Sequence, residues 1–406
     1  MTMADNKDKK VLNVPALRFP EFTGEWKRHK LSEVCSFYSG GTPSSSKKEY
    51  YNGDIPFIRS GELHKDNTEL FITEDGLNNS AAKMVEVGDL LLALYGATSG
   101  DIAISKIKGA INQAILCIRT KQNKKFIESV WNKHVERLLQ TYLQGGQGNL
   151  SADIVKNIPF YFASCAEQDK LAQFVSLLDE RIATQNKIIE KLETLIKGIT
   201  DVLLDNPLWE KVFLHSFMQF YPSNSLSWEQ LSYEDGKIRN LHYGLIHNFS
   251  TKGINANSLP MILSHNEPKQ YTLCKVGDVA FADASEDTNE IGKAVEFISV
   301  HPSGTICGLH TLHGRDIKNK TVVGFKGFAF NSRYFHDQIK RLAQGSKVFS
   351  ITAKNLLSCY IYIPNIAKQE MITKLLHAYE EKIVANKTLL DKYEMQRTYL
   401  QQRMFI

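Results

Sequence analysis

The sequence has no long hydrophobic run, no closely spaced cysteines and no strong excess of charge. Its longest apolar run, Leu90 to Ala97, is far shorter than the roughly 20 residues that a membrane-spanning helix needs. The six cysteines are scattered without a C-x-x-C pair, which argues against a zinc ribbon or a disulfide framework. The polar stretch from Asp5 to Lys10 has no apolar core of a signal peptide. We therefore expect a cytoplasmic protein with free thiols.

Sequence motifs of catalysis are missing too. There is no Gly-rich dinucleotide fingerprint, and EIGKA at Glu290 lacks the upstream glycine and the Ser/Thr of a phosphate loop. DNPLW at Asp205 approaches the Asn-Pro-Pro-aromatic clamp of an amine methyltransferase. However, Leu208 stands in place of the second proline, and Pro207 fits better as a helix stop. These absences give no support for hydrolysis or group transfer by this chain.

A metal site is not predicted from the sequence either. The string C-x-x-H-x-x-H joins Cys307, His310 and His313. On a strand these side chains would alternate between faces, and no second ligand cluster follows. The net charge of +5 permits a nucleic-acid partner without requiring one.

What the sequence does contain is a tandem repeat. Two long, charged, leucine-dotted segments start 201 residues apart, at Glu167 and Lys368, and align without a gap. Upstream, EVGDLLLAL from Glu86 resembles KVGDVAFAD from Lys275. Between the long segments, short strand patterns and an amphipathic helix, Phe126 to Gln144, indicate an α+β fold. A repeat of this size predicts duplicated domains rather than a solenoid.

The long segments have the heptad pattern of helices that pack on each other. The first seam is Leu171, Val175, Leu178, Ile182, Gln185, Ile189, Leu192, Ile196, Ile199 and Leu203. The second seam is Ile372, Leu376, Tyr379, Ile383, Asn386, Leu390, Tyr393, Arg397, Leu400 and Met404. Gln185 and Asn386 lie near the middle of their seams. If the helices are antiparallel with full overlap, these two amides meet and fix the helix register.

Several segments together resemble the specificity subunit of type I DNA restriction–modification systems. They are VPALRFPEFTGEW, SGGTPSSSKKEYYNGDIPFI, VGDLLLALYGATSG, NQAIL and EQDKLAQFVSLLDERI. The resemblance covers nearly the whole chain but is looser in the second half, where Lys368 replaces Glu167 and the G-TP loop is absent. It implies two tandem globular α+β target recognition domains joined by two long antiparallel coiled-coil helices.

The resemblance also implies a division of the chain and a function. The predicted parts are an N-terminal tail (1–23), a first target recognition domain (24–164), a first spacer helix (165–204), a second target recognition domain (205–364) and a second spacer helix (365–406). Each domain would bind one half of a bipartite double-stranded DNA target. The helices would set the spacing and dock two modification subunits, which carry S-adenosylmethionine. Restriction subunits, with motor and nuclease activities, would join later. This chain itself would have no catalytic residue and would need no cofactor or metal.

Three alternatives stay open on the sequence. The chain could serve a methyltransferase-only complex, or it could be a coiled-coil scaffold that does not bind DNA. A one-chain restriction enzyme or methyltransferase is the third, and the missing cofactor loop and nuclease clusters argue against it.

Candidate DNA contacts are polar, basic and aromatic residues in predicted loops. In the first domain they are Thr42, Ser44, Lys47, Lys48, Tyr50, Arg59, Tyr95, Thr98, Ser99, Lys106, Lys108 and Gln147. In the second domain they are Tyr243, His247, Lys252, His265, Asn266, Lys269, Ser285, Lys293, His313, Arg315, Arg341 and Lys347. For each residue the alternative is an ordinary solvated loop position.

Overall fold

A computed structural model of the protein describes residues 12–142, 149–247 and 253–406. Strands of the first half are β1 (Lys27–Lys30), β2 (Cys35–Ser39), β3 (Tyr51–Ile58), β4 (Phe71–Ile72), β5 (Lys83–Val85), β6 (Leu90–Ala93), β7 (Ile102–Ile104), β8 (Gly109–Ile111), β9 (Ile115–Thr120) and β10 (Pro159–Phe162). Its helices are α1 (Leu31–Val34), α2 (Glu74–Asn78), α3 (Lys124–Tyr142), α4 (Ala152–Asn157) and α5 (Cys165–Leu204). None of the helices in the described ranges is long and apolar enough to cross a membrane.

The second half repeats this plan. Its strands are β11 (Glu210–Phe213), β12 (Met218–Tyr221), β13 (Leu231–Ser232), β14 (Arg239–Leu241), β15 (Met261–Ile262), β16 (Val279–Ala282), β17 (Ala284–Ser285), β18 (Ala294–Glu296), β19 (Thr305–Cys307), β20 (Thr311–Asp316), β21 (Phe349–Ser350) and β22 (Tyr360–Ile363). Its helices are α6 (Tyr243–Ile246), α7 (Phe325–Ala329), α8 (Arg333–Leu342), α9 (Ala353–Ser358) and α10 (Ile366–Met404).

The two halves share most of their strand topology, and their mixture of helices and sheets confirms the α+β class. They differ in the edge strands of the mixed sheet, where β5 pairs with β8 in the first half and β13 pairs with β15 in the second. An antiparallel sheet has the order β2-β9-β6-β7 in the first half and β12-β20-β16-β18 in the second. A second, mixed sheet contains one parallel pair, β3 with β8 or β14 with β19. A two-stranded ribbon, β1 with β10 or β11 with β22, leads into the long helix. The tandem repeat seen in the sequence is therefore a repeat of folded units.

The Val-Gly-Asp motif is the turn that starts the central strand of each antiparallel sheet. Gly88 and Gly277 have φ of 89° and 87°, a conformation that glycine adopts without a steric penalty. The carboxylates of Asp89 and Asp278 close these turns by accepting a hydrogen bond from the backbone N–H three residues earlier. The motif therefore recurs because the central strands of both sheets, β6 and β16, start from the same tight turn.

The residues group into two compact units, each of which takes part of both long helices. Unit 1 comprises the chain up to Thr184 together with Leu390–Ile406, and unit 2 comprises Gln185–Leu389. The core of unit 1 includes Leu171 of α5 and Phe405, which directly follows α10. The predicted division, by contrast, treats each spacer helix as a separate part. Helix halves belong with the globular parts because they cover apolar surface there.

Both predicted heptad seams are found on the long helices, and every seam residue is buried or half-buried. The two helices run antiparallel within each unit. In unit 2, Gln185 of α5 contacts Asn386 of α10. Leu204, which comes later in α5, shares a core with Ile372, which comes earlier in α10. Gln185 Nε2 donates to Asn386 Oδ1 at 2.7 Å and to the Asn386 carbonyl oxygen at 3.1 Å. The predicted meeting of the two amides is thus present, while their role in setting the register stays a prediction.

Candidate nucleic-acid interface

Three loops of unit 1 meet at one end of its antiparallel sheet. Strands β2 and β6 end there and β9 begins there, because each neighbouring pair is antiparallel. We call residues 40–50, 94–101 and 112–114 the loop face of unit 1. The side chain of Thr42 donates a hydrogen bond to Gln113 Oε1 at 2.6 Å, which ties two of the loops together. Gln113 was missed by the sequence analysis, although it lies in the quoted segment NQAIL.

Close backbone approach explains the glycines that start this face. A Cβ atom on Gly40 would lie only 1.8 Å from the carbonyl oxygen of Ile111. A Cβ on Gly41 would lie 2.5 Å from the Cβ of Ala81. The Ser-Gly-Gly-Thr stretch is therefore needed for packing, and it positions Thr42 at the exposed edge.

Most of the candidate residues on this face reach solvent. Thr42, Ser44, Lys47, Lys48 and Tyr95 are exposed, and Thr98 and Ser99 are half-buried. Tyr50 was predicted in a loop, but its side chain is 8% exposed within a short 3-10 helix. Its hydroxyl accepts a hydrogen bond from Lys47 Nζ at 2.8 Å. Tyr50 is therefore a buried hydrogen-bond partner of Lys47 and not part of the exposed surface.

Three basic candidates of unit 1 lie away from the loop face or are held by carboxylates. Arg59 follows β3 and donates to both Glu62 and Glu69. Burial would raise the pKa of Glu62, but hydrogen bonds from Arg59 and from backbone N–H groups lower it to about 2. Lys106 and Lys108 follow β7 at the other end of the sheet, and Lys108 pairs with Glu86. Gln147 lies outside the described residues.

Unit 2 has an equivalent loop face, composed of residues 222–230, 283–293 and 308–310, to which we add residues 242–247 after β14. Its most distinct feature is a row of aromatic rings. The ring of His242 lies 4.5 Å from Trp228 and 4.7 Å from Tyr243 between centroids. His310 packs edge-on against Tyr243 at 5.3 Å. Trp228, His242 and His310 were missed. Trp228 is 45% exposed and His310 is exposed, whereas His242 is buried between its neighbours, so the two outer rings of the row are open to a ligand.

Polar candidates gather beside these rings. His247 Nδ1 lies 2.8 Å from Glu290 Oε2, and Lys293 Nζ donates to Glu290 Oε2 and to the His247 carbonyl oxygen. Burial would raise the pKa of Glu290, but His247 and Lys293 lower it below its usual value. Ser285 pairs with Phe349 between β17 and β21, which brings the loop of Lys347 alongside.

The remaining candidates of unit 2 are more dispersed. His265, Asn266 and Lys269 follow β15, and Asn266 accepts a hydrogen bond from Gln230. Arg341 is exposed near the end of α8. Lys252 lies outside the described residues.

Two predicted contacts of unit 2 are in strand β20 rather than in a loop. His313 is completely buried, and its Nε2 lies 2.7 Å from Asp278 Oδ2. Arg315 donates two hydrogen bonds to the same carboxylate, at 2.8 and 2.7 Å. Arg119 of unit 1 makes the equivalent bond to Asp89 at 3.0 Å. The prediction of exposed loop positions is wrong for His313 and Arg315, because their side chains neutralise the carboxylate of the Val-Gly-Asp turn.

A second repeated contact connects each globular part with its long helix. Gln168 Nε2 donates to the carbonyl oxygen of Ala163, and Gln369 Nε2 donates to that of Pro364, both at 2.9 Å. In each case the amide oxygen accepts a backbone N–H, from Asn123 and from Val322. The helix therefore starts in the same fixed way in both units.

These features define a class: proteins with duplicated α+β recognition domains, each built onto long paired helices. A family profile described as "Type I restriction modification DNA specificity domain" matches residues 23–194. The chain is therefore similar to type I restriction–modification specificity subunits, and the profile match lies in its first half, at residues 23–194.

Individual relatives show how far the similarity extends. The "Type I restriction enzyme EcoR124I/EcoR124II specificity subunit" of Escherichia coli is 26% identical over 46% of this chain. That match spans 45% of the relative, so it covers about half of its length. The "Type I restriction enzyme MjaVIII specificity subunit" of Methanocaldococcus jannaschii is 21% identical over 93% of this chain and 90% of its own. The S subunit structure from M. genitalium has a TM-score of 0.57 at 15% identity, covering 97% and 99% of the two chains, which shows a shared fold.

Proposed function

We propose that this chain is the sequence-specific DNA-binding subunit of a type I restriction–modification complex. Each unit binds one half of a bipartite duplex target through its loop face. The observation that carries the proposal is the repeated loop face, with its amide and hydroxyl groups in unit 1 and its aromatic row in unit 2. Such groups are suited to base edges, and neighbouring lysines are suited to phosphates.

In this proposal the chemistry belongs to partner subunits. Two modification subunits dock on the long helices, bind S-adenosylmethionine and methylate adenine, and restriction subunits join them to cut. This chain is non-catalytic, holds no cofactor for the reaction and acts in the cytoplasm. The same role would serve a complex that only methylates DNA. A search for a co-purifying motor subunit would distinguish a restriction complex from such a methyltransferase-only complex.

DNA binding is expected to depend strongly on salt and on the partners. The segments 24–160 and 205–364 each carry a net charge of only +2, with 17 basic and 15 acidic residues in the first and 16 and 14 in the second. We expect weak binding by the chain alone. For a complex that contacts about six phosphates, affinity should fall about 10³-fold between about 50 and about 200 mM salt. Fluorescence anisotropy with a labelled duplex measures both.

A matched pair of lysine variants locates the interface. Lys48→Gln, on the loop face, should reduce the slope of log affinity against log salt by about 1. Lys108→Gln, at the other end of the sheet, should leave the slope unchanged. If no duplex binds at low salt even with the modification subunits present, the chain is a scaffold and the proposal is wrong. Tight, salt-insensitive binding by the chain alone would contradict the electrostatic part.

The amide pair of the long helices should set the gap between the two half-sites. Replacing both Gln185→Leu and Asn386→Leu removes a buried polar contact from an apolar seam, so we expect stability at least equal to that of the natural chain. The double variant should, however, hold the alignment of the two helices less firmly. A slip of one heptad would shift one helix by about 10 Å, which corresponds to about three base pairs. Methylation of targets whose central gap varies by single base pairs measures the effect, and we expect a broadened gap preference.

The control is Ile189→Leu, which changes the next buried position of the first seam and keeps both amides. It should keep the natural gap preference. If the double variant also keeps it, the amide pair does not determine the spacing.

A further inference from the structure

Two cysteines and one histidine form a buried cluster in unit 2, outside its loop face. The sulfur atoms of Cys274 and Cys307 and one ring nitrogen of His313 all lie within 4.8 Å of one another. The two sulfur atoms are 3.7 Å apart. Cys274, Cys307 and His313 are 5%, 2% and 0% exposed. Sulfur and imidazole nitrogen are the donors that zinc prefers in proteins.

The histidine is oriented as a metal ligand would be. Its Nε2 is held by Asp278, whose carboxylate is fixed in turn by Arg315. Its Nδ1 is buried and has no hydrogen-bond partner among the residues that the structure describes. Ligating histidines generally bond a carboxylate through the ring nitrogen that does not face the metal. The free nitrogen is therefore the one left to bind an ion.

Unit 1 provides an internal comparison, because the repeat identifies the equivalent positions. Cys274 and Val85 each lie four residues before the turn aspartate. Cys307 and Ile111 each end the strand that pairs in parallel with its neighbour in the mixed sheet. The third pair is His313 and Cys117, which lie opposite Tyr221 and Tyr38 in the antiparallel sheet.

In unit 1 these positions belong to one apolar cluster that contains Val85, Ile111 and Cys117. The fold therefore needs no ligating group at this place. Unit 2 has three donor atoms in the corresponding positions, inside an apolar cluster that includes Cys274 and Cys307. The histidine is also costly there, because a buried polar atom without a partner destabilises a protein.

We propose that Cys274, Cys307 and His313 bind one Zn²⁺ ion. Two thiolates and a neutral imidazole balance the charge of the ion, so the assembled site can be buried without net charge. A water molecule can supply a fourth ligand. The ion would connect the two sheets of unit 2, because Cys307 ends a strand of the mixed sheet and His313 lies in the antiparallel sheet. The site goes beyond DNA recognition, since its three donor side chains are buried and the ion would stabilise the unit from within. Its link to the loop face is through the backbone: the Cys307 carbonyl oxygen accepts hydrogen bonds from Asn224.

Burial raises the pKa of the Cys274 thiol well above its ordinary value. Zinc binds cysteine as the thiolate, so binding of the ion displaces the proton of this thiol.

The test is the metal content of the full-length chain purified without chelator, measured by plasma mass spectrometry. We expect about one zinc ion per chain. Cys274→Ser and Cys307→Ser should each lose the zinc. Cys359→Ser, which changes a buried cysteine of the same unit outside the cluster, should keep it. Zinc that remains in the Cys274→Ser/Cys307→Ser double variant, or natural chain free of zinc, would overturn the proposal.

A second measurement on the natural chain does not depend on how the variants fold. Metal-free chain titrated with Co²⁺ should develop the near-ultraviolet charge-transfer absorption of thiolate–cobalt bonds, and added zinc should abolish it. Zinc should also raise the melting temperature of the metal-free chain, because it binds the assembled site of the folded state more tightly than the unfolded chain. If cobalt gives no such absorption and zinc leaves the melting temperature unchanged, the three residues are an ordinary buried cluster.

Discussion

Exchange of residues 24–150 for those of another specificity subunit should replace one half of the methylated DNA motif and leave the other half and the gap unchanged. The reason is that these residues contain every loop of the unit 1 loop face, whereas the second loop face and the amide pair belong to unit 2. Sequence-specific proteins distinguish their sites from other DNA by about 10³-fold or more. We therefore expect methylation of the original half-site to be lost completely.

Methylome sequencing of cells that carry the exchanged or the natural chain measures this result. The control is the reciprocal exchange of residues 205–364, which should alter only the other half of the motif. Simultaneous change in both halves would mean that the two units do not bind DNA independently. An unchanged motif would contradict the assignment of the loop faces as the interface.

The second large effect is expected on stability, from removal of one buried carboxylate. Asp278→Asn should lower the free energy of unfolding by about 3 kcal/mol or more, because buried charges that lose a partner are strongly destabilising. The side chains of Asp278 and His313 are almost completely buried. Burial would lower the pKa of His313, but its hydrogen bond with Asp278 raises it to about 9. Without the carboxylate the buried imidazole must either keep an unpaired charge or lose its proton, and both cost free energy.

Asp89→Asn is the matched variant in unit 1, and it should cost only about 1 kcal/mol. The partners of Asp89 are Arg119 and Lys124, whose side chains are 48% and 32% exposed, so they can be solvated when the carboxylate is lost. Denaturant unfolding, monitored by hydrogen exchange, shows in which unit the free energy of unfolding is reduced. The measurements are made in chelator so that bound metal does not contribute. Equal losses in both units would show that burial of the partners does not decide the cost.

The long helices were predictable from the sequence because a heptad pattern is local. Each seam residue is followed by the next within three or four positions, so both seams and the meeting of Gln185 with Asn386 could be predicted without a fold. The glycine-rich start of the loop face and the Val-Gly-Asp turns were also visible as motifs. Their roles, a close backbone contact and a turn with φ above zero, needed the structure.

Individual site residues were harder to predict because their partners are distant in sequence. No residue close to Arg315 in the sequence indicates that its side chain bonds to Asp278, which lies 37 positions away. His313 was assigned to a loop for the same reason, although it lies in a strand. Cys274 was not connected with Cys307 and His313 because the sequence string that includes those two residues starts 33 positions later. Trp228 and Gln113 were missed because single residues in turns carry no periodic signal.

The core of unit 1 contains Trp26, Phe126 and Phe405, whose rings contact one another. Lys133 holds the same segment by donating to the backbone oxygens of Gln402 and Phe405. The ribosome synthesises Gln402 and Phe405 only after all of unit 2. Until then, the part of unit 1 that has already been synthesised keeps some of its apolar surface uncovered. Domains generally fold in the order of their synthesis, and contacts between distant residues form slowly. In this chain the second unit can reach its native state before the first, and the nascent first unit is the stage most exposed to aggregation and to chaperones.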